Sequence, residues 1–235
     1  MKQRISFLLT LVVVTALFLS GKGKTDLVIN EEFRSLNNWE TLYFSKKHTN
    51  YSTDSVGTGM LRAESNASAT GLLHNTQFNV YTHPELNWRW KVENTYAKAD
   101  MTRKSGDDYP MTIFVIFPFV KEEMSLADKV AAYLGKLATG LDLPHSSLNY
   151  VWSSNGQLGQ VLPNSNYAGS RIIVKQAGKD KCGQWLMEQV NIVEDYRKAF
   201  GTEPPANAII GFMNDSDNTG EHSVSYLDYI RVCGS

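Results

Sequence analysis

The chain has 235 residues, with 23 Lys and Arg against 24 Asp and Glu and a formal net charge of −1 at pH 7. That balance, with no local Lys/Arg cluster, excludes the basic surface that nucleic-acid binding requires. The five histidines show no His-x-x-x-His spacing, the two cysteines form no Cys-x-x-Cys pair, and no phosphate-binding glycine loop occurs, so zinc and nucleotide chemistry lack their motifs.

Residues 1–24 read as a targeting segment. Lys2 and Arg4 precede an uncharged, mostly apolar stretch over 5–19 that is short for a membrane span. Small residues are not placed for a clean cleavage site after Phe18 and Leu19, so the segment is either a secretory signal or an uncleaved N-terminal anchor. Contact with a membrane is expected only through this segment if it is retained. The expected location is outside the cytoplasm: periplasmic or secreted. Removing residues 1–24 takes Lys2, Arg4, Lys22 and Lys24 from the basic total and no acidic residue, which moves the balance to −5. Residues 25–235 are of a length that one β-sandwich domain accommodates.

In chain order, 27–33 alternates as a short strand, and 36–44 continues with Trp39, Leu42 and Phe44. Residues 45–58 are polar and turn-rich. Short strands are expected at 60–64 and 70–74 around Ser65-Asn66-Ala67-Ser68. The clearest alternation is 85–92, where Leu86, Trp88, Trp90 and Val92 face one way and Asn87, Arg89 and Lys91 the other, the pattern of a strand with one buried face. After a loop at 94–110, the β-branched and aromatic run 111–119, bounded by Pro110 and Pro118, predicts a buried and central strand. The spacing of Leu126, Val130, Tyr133, Leu134 and Leu137 predicts an inserted amphipathic helix over 125–138. Strands follow at 148–153 and 171–176, separated by a long polar loop at 154–169, and 184–192 is the expected hairpin partner of 171–176. A short helix is predicted over 193–200, stopped by Gly201 and Pro204-Pro205. Strands at 208–213 and 223–232 close the chain, the last with Val224, Tyr226, Asp228 and Ile230 on one face.

Many short strands, few helices and no β-α-β alternation predict a mainly β fold: an antiparallel two-sheet sandwich, jelly-roll-like, in which the first and last strands would lie side by side.

Candidate chemistry sits in two acidic turns. Asp215-Ser216-Asp217-Asn218-Thr219-Gly220 places oxygen side chains at alternate positions before a glycine, the pattern with which Asp215, Asp217 and Thr219 could hold calcium. The bidentate glutamate of a calcium loop is absent, Tyr226 standing in its place, and the plainer account is an Asx-type turn. Asp107 and Asp108, followed by Tyr109 and Pro110, could bind a cation or orient a sugar hydroxyl, and again a turn is the plainer account. Asp217 and Asn218 join them as candidate ligand-binding residues. Among the aromatics, Tyr150 and Trp152 are candidate stacking platforms for a sugar ring, Trp152 being the one expected at the surface, whereas the regular alternation of Trp88 and Trp90 favours the core. Cys182 and Cys233 could form one disulfide in an exported chain, the alternative being two unpaired thiols. The Gly-x-Ser-x-Gly nucleophile elbow is absent, and acidic pairs occur without a recognisable glycosidase strand pattern.

Several motifs, taken in order, resemble a known family. They are Trp88-Arg89-Trp90-Lys91-Val92, Gly106-Asp107-Asp108-Tyr109-Pro110, Asn149-Tyr150-Val151-Trp152, Glu194-Asp195-Tyr196-Arg197-Lys198-Ala199-Phe200-Gly201, Glu203-Pro204-Pro205 and Asp217-Asn218-Thr219-Gly220. The ordered set, from about Trp39 to Ile230, resembles the bacterial exported family known as domain of unknown function 3047. The resemblance implies an exported, mainly β protein and carries over no catalytic residue. The two ends, Ile29-Asn30-Glu31-Glu32-Phe33 with Trp39 and Tyr226-Leu227-Asp228-Tyr229-Ile230, are similar to the ends of jelly-roll carbohydrate-binding modules. That similarity implies a second, structural calcium set of Glu31, Glu32 and Asp228.

Three functions remain open at this point. The first is non-catalytic binding of a glycan or other cell-envelope ligand, with calcium as a structural ion. The second is a glycan-active hydrolase or lyase using the acidic-loop residues. The third is an envelope scaffold whose 125–138 helix docks a partner. Whether the two acidic turns meet decides how much weight the site carries.

Overall fold

The structure is a computed structural model that describes residues 26–54, 57, 59–119 and 144–234. The expected targeting segment at 1–24 and the expected helix over 125–138 lie outside the described residues.

Thirteen strands are seen among the described residues: β1 (Leu27–Glu31), β2 (Trp39–Tyr43), β3 (Asn50–Thr53), β4 (Leu61–Asn66), β5 (Ala69–Asn79), β6 (Glu85–Val92), β7 (Met111–Phe117), β8 (Ser146–Ser153), β9 (Val161–Pro163), β10 (Ser170–Ala177), β11 (Leu186–Asn191), β12 (Asn207–Asp215) and β13 (His222–Cys233). One sheet runs β11-β6-β13-β4-β3, with β1 also paired to β13; the other runs β2-β5-β12-β7-β8-β10-β9. The first and last strands pair, as expected. The strand read as central, β7, is the middle strand of its seven.

The core lies between the sheets. Leu86, Trp88, Trp90 and Val92 of β6 are fully buried. They meet β8, where Trp88 packs on Tyr150 at 5.4 Å between ring centroids and Trp90 on Trp152 at 5.8 Å. Tyr150 and Trp152 are therefore core residues, both fully buried, and not stacking platforms. The physical reason is that the turn after the paired strand β10 covers Trp152: its indole N–H donates to the carbonyl of Gly178 at 3.1 Å. A second aromatic cluster joins Phe33, Trp39 and Phe212. Each such side chain adds roughly 1.5–3 kcal/mol through burial.

Helix α1 (Ile192–Phe200) closes the end of the sandwich remote from the acidic turns. Asn191 caps it by accepting the Glu194 N–H, and Gly201, at φ 73°, returns its N–H to the Arg197 carbonyl. Ile192, Val193 and Tyr196 are its buried residues.

Three pairings differ from expectation. Strands β10 and β11 are not a hairpin: β11 pairs with β6 in one sheet, and β10 with β8 and β9 in the other. The turn between them passes from sheet to sheet, which a local alternation pattern does not reveal. The β8–β10 pair is parallel, and every other pair among the described strands is antiparallel. Residues 154–169 are the crossover that a parallel pair demands, and β9 forms within them. In β13, a register shift between Leu227 and Tyr229 reverses the facing of the strand. Ser223, Ser225 and Leu227 point inward before it, and Ile230 and Val232 after it. Asp228 stays on the outer face with Val224 and Tyr226, 2.8 Å from Arg89, and the shift turns Ile230 away from them.

The second calcium set does not assemble. Glu31 is buried and fully used: Oε1 accepts the Phe33 N–H at 2.6 Å and Oε2 the Trp39 indole N–H at 3.0 Å. Glu32 faces Arg34 and Arg231. Glu31, Glu32 and Asp228 each answer a different partner and do not converge. The two cysteines are free. Cys233 lies opposite Glu85 at one end of β6, while the turn holding Cys182 bonds to Val92 at the other end. A strand of that length separates them by about 20 Å, far beyond the 4.4–6.8 Å Cα spacing of a disulfide.

Candidate functional site

The pairing of β7 with β12 builds the site. The two strands are antiparallel, with Met213 opposite Thr112. The turn that enters β7 and the loop that leaves β12 must then lie side by side at one end of the sheet. The two acidic turns meet. Backbone bonds stitch them together: Asp215 N–H donates to the Tyr109 carbonyl, and Tyr109 N–H to Asp215 Oδ1, both at 3.2 Å.

Asp108, Asp215 and Asp217 each present a carboxylate oxygen, and these oxygens lie within 4.8 Å of one another. Asp108 and Asp215 are buried and Asp217 is exposed. The opposite loop fixes Asp108: Oδ1 accepts from Asn218 N–H at 3.2 Å and from its side-chain amide at 3.1 Å, and Oδ2 from Thr219 N–H at 2.6 Å. Asp107 turns the other way and accepts from the Tyr109 hydroxyl at 2.8 Å and from the amides of Asn164 at 3.1 Å and Asn166 at 2.5 Å. None of the four carboxylates makes an ion pair with a Lys, Arg or His among the described residues.

Such crowding has an electrostatic consequence. Burial pushes Asp215 well above the ordinary carboxylate range, and the charges of Asp108 and Asp107 push it further, against the opposing Tyr109 N–H. Asp107 is also raised by burial, opposed by its Tyr109, Asn166 and Asn164 bonds. Asp217, exposed as a residue but partly desolvated at its carboxylate, is raised by that partial desolvation and then by Asp108. The cluster favours a bound proton or a bound cation.

Beside it lies a cleft of about 60 Å³ bordered by Asp107, Tyr109, Thr112, Asn149, Asn164 and Asp215. It is the size of one or two waters at about 30 Å³ each. Thr112 is 2% exposed, and its hydroxyl has no hydrogen-bond partner among the described residues. A buried hydroxyl left so costs about 1–3 kcal/mol, a cost that one water in the cleft would offset.

Behind the cluster, buried Asn214 ties the two sheets together. Its Oδ1 accepts from Ser65, Ser223 and Tyr96, and its Nδ2 donates to Ser225 and to the Ala63 carbonyl. The acidic end thus stands on rigid backing.

Of the residues singled out by sequence, Asp107, Asp108, Tyr109, Asp215, Asp217 and Asn218 come together here. Thr219 is present as frame and not as a ligand: its N–H serves Asp108, and its hydroxyl accepts the Glu221 N–H at 3.3 Å. Tyr150 and Trp152 lie away in the core. Sequence reasoning missed Asn164, Asn166, Thr112 and Asn214. The Asn-x-Asn spacing in the polar 154–169 loop is the one available hint, since a loop rich in amides signals carboxylates to be held.

A family model described as "Protein of unknown function (DUF3047)" matches residues 37–231. The chain belongs to this family. No curated protein matches it. Among solved structures, it is similar to the enzymatically active domain of bacteriophage CBA120 tailspike protein 4, at 9% identity and TM-score 0.38. That match covers 86% of this chain, which spans only 20% of the tailspike chain. It is also similar to the carbohydrate-binding module TmCBM27, described for mannan recognition, at 8% identity and TM-score 0.36, covering 91% and 99% of the two chains. The Lotus tetragonolobus seed lectin matches at 11% identity and TM-score 0.42, covering 88% and 97%. At this distance the likenesses carry no argument about a ligand.

Proposed function

We propose that this chain is an exported glycan-binding β-sandwich, braced by a calcium ion held between Asp108, Asp215 and Asp217. The observation that carries the reading is the convergence of three carboxylates, from turns more than a hundred residues apart, within 4.8 Å and with no ion pair to a Lys, Arg or His among the described residues. Calcium takes hard oxygen ligands in flexible geometry, and carboxylates on two turns and the neighbouring loop carbonyls are such a set.

The amides and carboxylates around the cleft suit hydroxyl groups, which donate and accept at once. The reading does not lean on aromatic stacking, because the four large aromatics between β6 and β8 are buried. A glycan array probed in calcium and again in chelator tests it. Binding that requires calcium supports the whole reading. Absence of any glycan binding in either condition contradicts the glycan part, and binding indifferent to chelator contradicts the role of the ion.

A further inference from the structure

A second and larger cavity lies at the open side of the sandwich, where β10 of one sheet faces β11 and α1. Its volume is about 390 Å³. Small-molecule pockets begin at about 300 Å³, so this one has room for a whole sugar ring, whereas the cleft at the acidic end admits only a projecting hydroxyl.

The walls divide by chemistry. Leu158, Val161 and Ile173 form an apolar side, while Lys175, Glu188, Asp195 and Lys198 form a polar one. The two carboxyls are positioned from behind. Gln176 Nε2 donates to Glu188 Oε1 at 2.6 Å, and the Tyr150 hydroxyl donates to Asp195 Oδ2 at 3.1 Å. Lys175 Nζ stands 3.8 Å from Glu188 Oε2, an ion pair too long for a hydrogen bond. A hydroxyl oxygen could approach both atoms at ordinary hydrogen-bond length. Lys198, at the exposed rim, makes no ion pair within 4 Å among the described residues. Burial raises both Glu188 and Asp195, and Lys175 opposes the rise in each.

We infer that this cavity is a saccharide seat that takes one neutral sugar ring, its hydroxyls bridging Lys175 to Glu188 and Lys198 to Asp195 and its C–H face against Leu158, Val161 and Ile173. The alternation of donors and acceptors selects for vicinal hydroxyls, each of which donates to a carboxylate and accepts from an ammonium. A dicarboxylate would face Glu188 and Asp195 and be repelled. The inference rests on the glycan reading but not on the calcium ion.

The test is an NMR titration of the ¹⁵N-labelled protein with glucose, mannose, galactose and N-acetylglucosamine, each at millimolar concentration, with glycine as a zwitterionic control. At least one sugar is expected to shift the amides of Ile173, Lys175 and Glu188. Charge-assisted hydrogen bonds are lost in Glu188→Gln and in Lys198→Ala, so each should weaken that sugar about tenfold. Lys198 is exposed, so its replacement leaves the fold intact. A sugar that shifts only 107–109 and 215–220 overturns the seat while leaving the glycan reading standing. A response to glycine and to no sugar, or affinity untouched by both variants, overturns it as well. Silence from every sugar here and on the array removes both readings together.

Discussion

Replacing Asp215 by Asn is expected to stabilise the cation-free protein, against the usual direction for a buried polar residue. Asp215 is 4% exposed, and its carboxylate lies within 4.8 Å of those of Asp108 and Asp217. At an effective dielectric near 20, one like-charge pair at that spacing repels by about 3 kcal/mol. Asp217 is exposed and screened, so Asp108 carries most of the effect. Asn keeps an oxygen for the Tyr109 N–H, so little bonding is lost. The expected gain at neutral pH is about 1–3 kcal/mol, and each kcal/mol raises Tm by about 2–4 °C in a protein of this size. The sign follows from linkage. The folded state holds the Asp215 proton more tightly than the unfolded chain does, because burial and Asp108 raise its pKa. Wild-type stability is therefore greatest below the unfolded carboxylate pKa, near 3.9, and falls as pH rises toward the folded value. The variant lacks that fall, so the gap between the two should be small near pH 3 and widest above the folded pKa. Thermal melts across this range in metal-free buffer measure it. In calcium the order should reverse, because the variant has lost a charged ligand. A variant that melts lower than wild type in metal-free buffer at neutral pH, or a gap that does not change with pH, refutes the reasoning.

Three further outcomes follow from the fold. Glu31→Ala should cost about 2–4 kcal/mol in urea unfolding, because it strands the Phe33 N–H and the Trp39 indole N–H in the core, and calcium should not alter that cost. Trp152→Ala should cost about 3–5 kcal/mol in the same assay by opening a cavity beside Trp90; a cost below about 1 kcal/mol would place Trp152 at the surface after all. Reducing agent should leave Tm unchanged, and two thiols per chain should react once the protein is unfolded, since Cys182 and Cys233 are both free.

The layout of the sandwich was legible wherever one strand had one wet face. Strand β6 is the clearest instance: its alternation of Trp88 and Trp90 with Arg89 and Lys91 located the core face and both ends. Gly201 and the acidic start of α1 marked the second helix equally well. What did not show was long-range pairing. Nothing local in 171–192 says that the chain changes sheets between β10 and β11, and a short polar strand such as β3 lacks the apolar pattern that would announce it. The bulge at Asp228 defeated the facing of β13, since one extra residue reverses every side chain beyond it. The same limit applies to the acidic site. Each turn was visible as chemistry, but their meeting depends on the antiparallel register of β7 and β12, and Asn164 and Asn166 arrive from a crossover that only the parallel β8–β10 pair explains.

The most direct test of the calcium-braced site is isothermal titration calorimetry of calcium into the metal-free chain, with Asp217→Asn as the comparison because its side chain is exposed and its loss should spare the fold. The account predicts one calcium per chain, an increase in Tm on binding, and an affinity at least about tenfold weaker in the variant. No heat and no change in Tm at millimolar calcium, or an affinity identical in the variant, would contradict it.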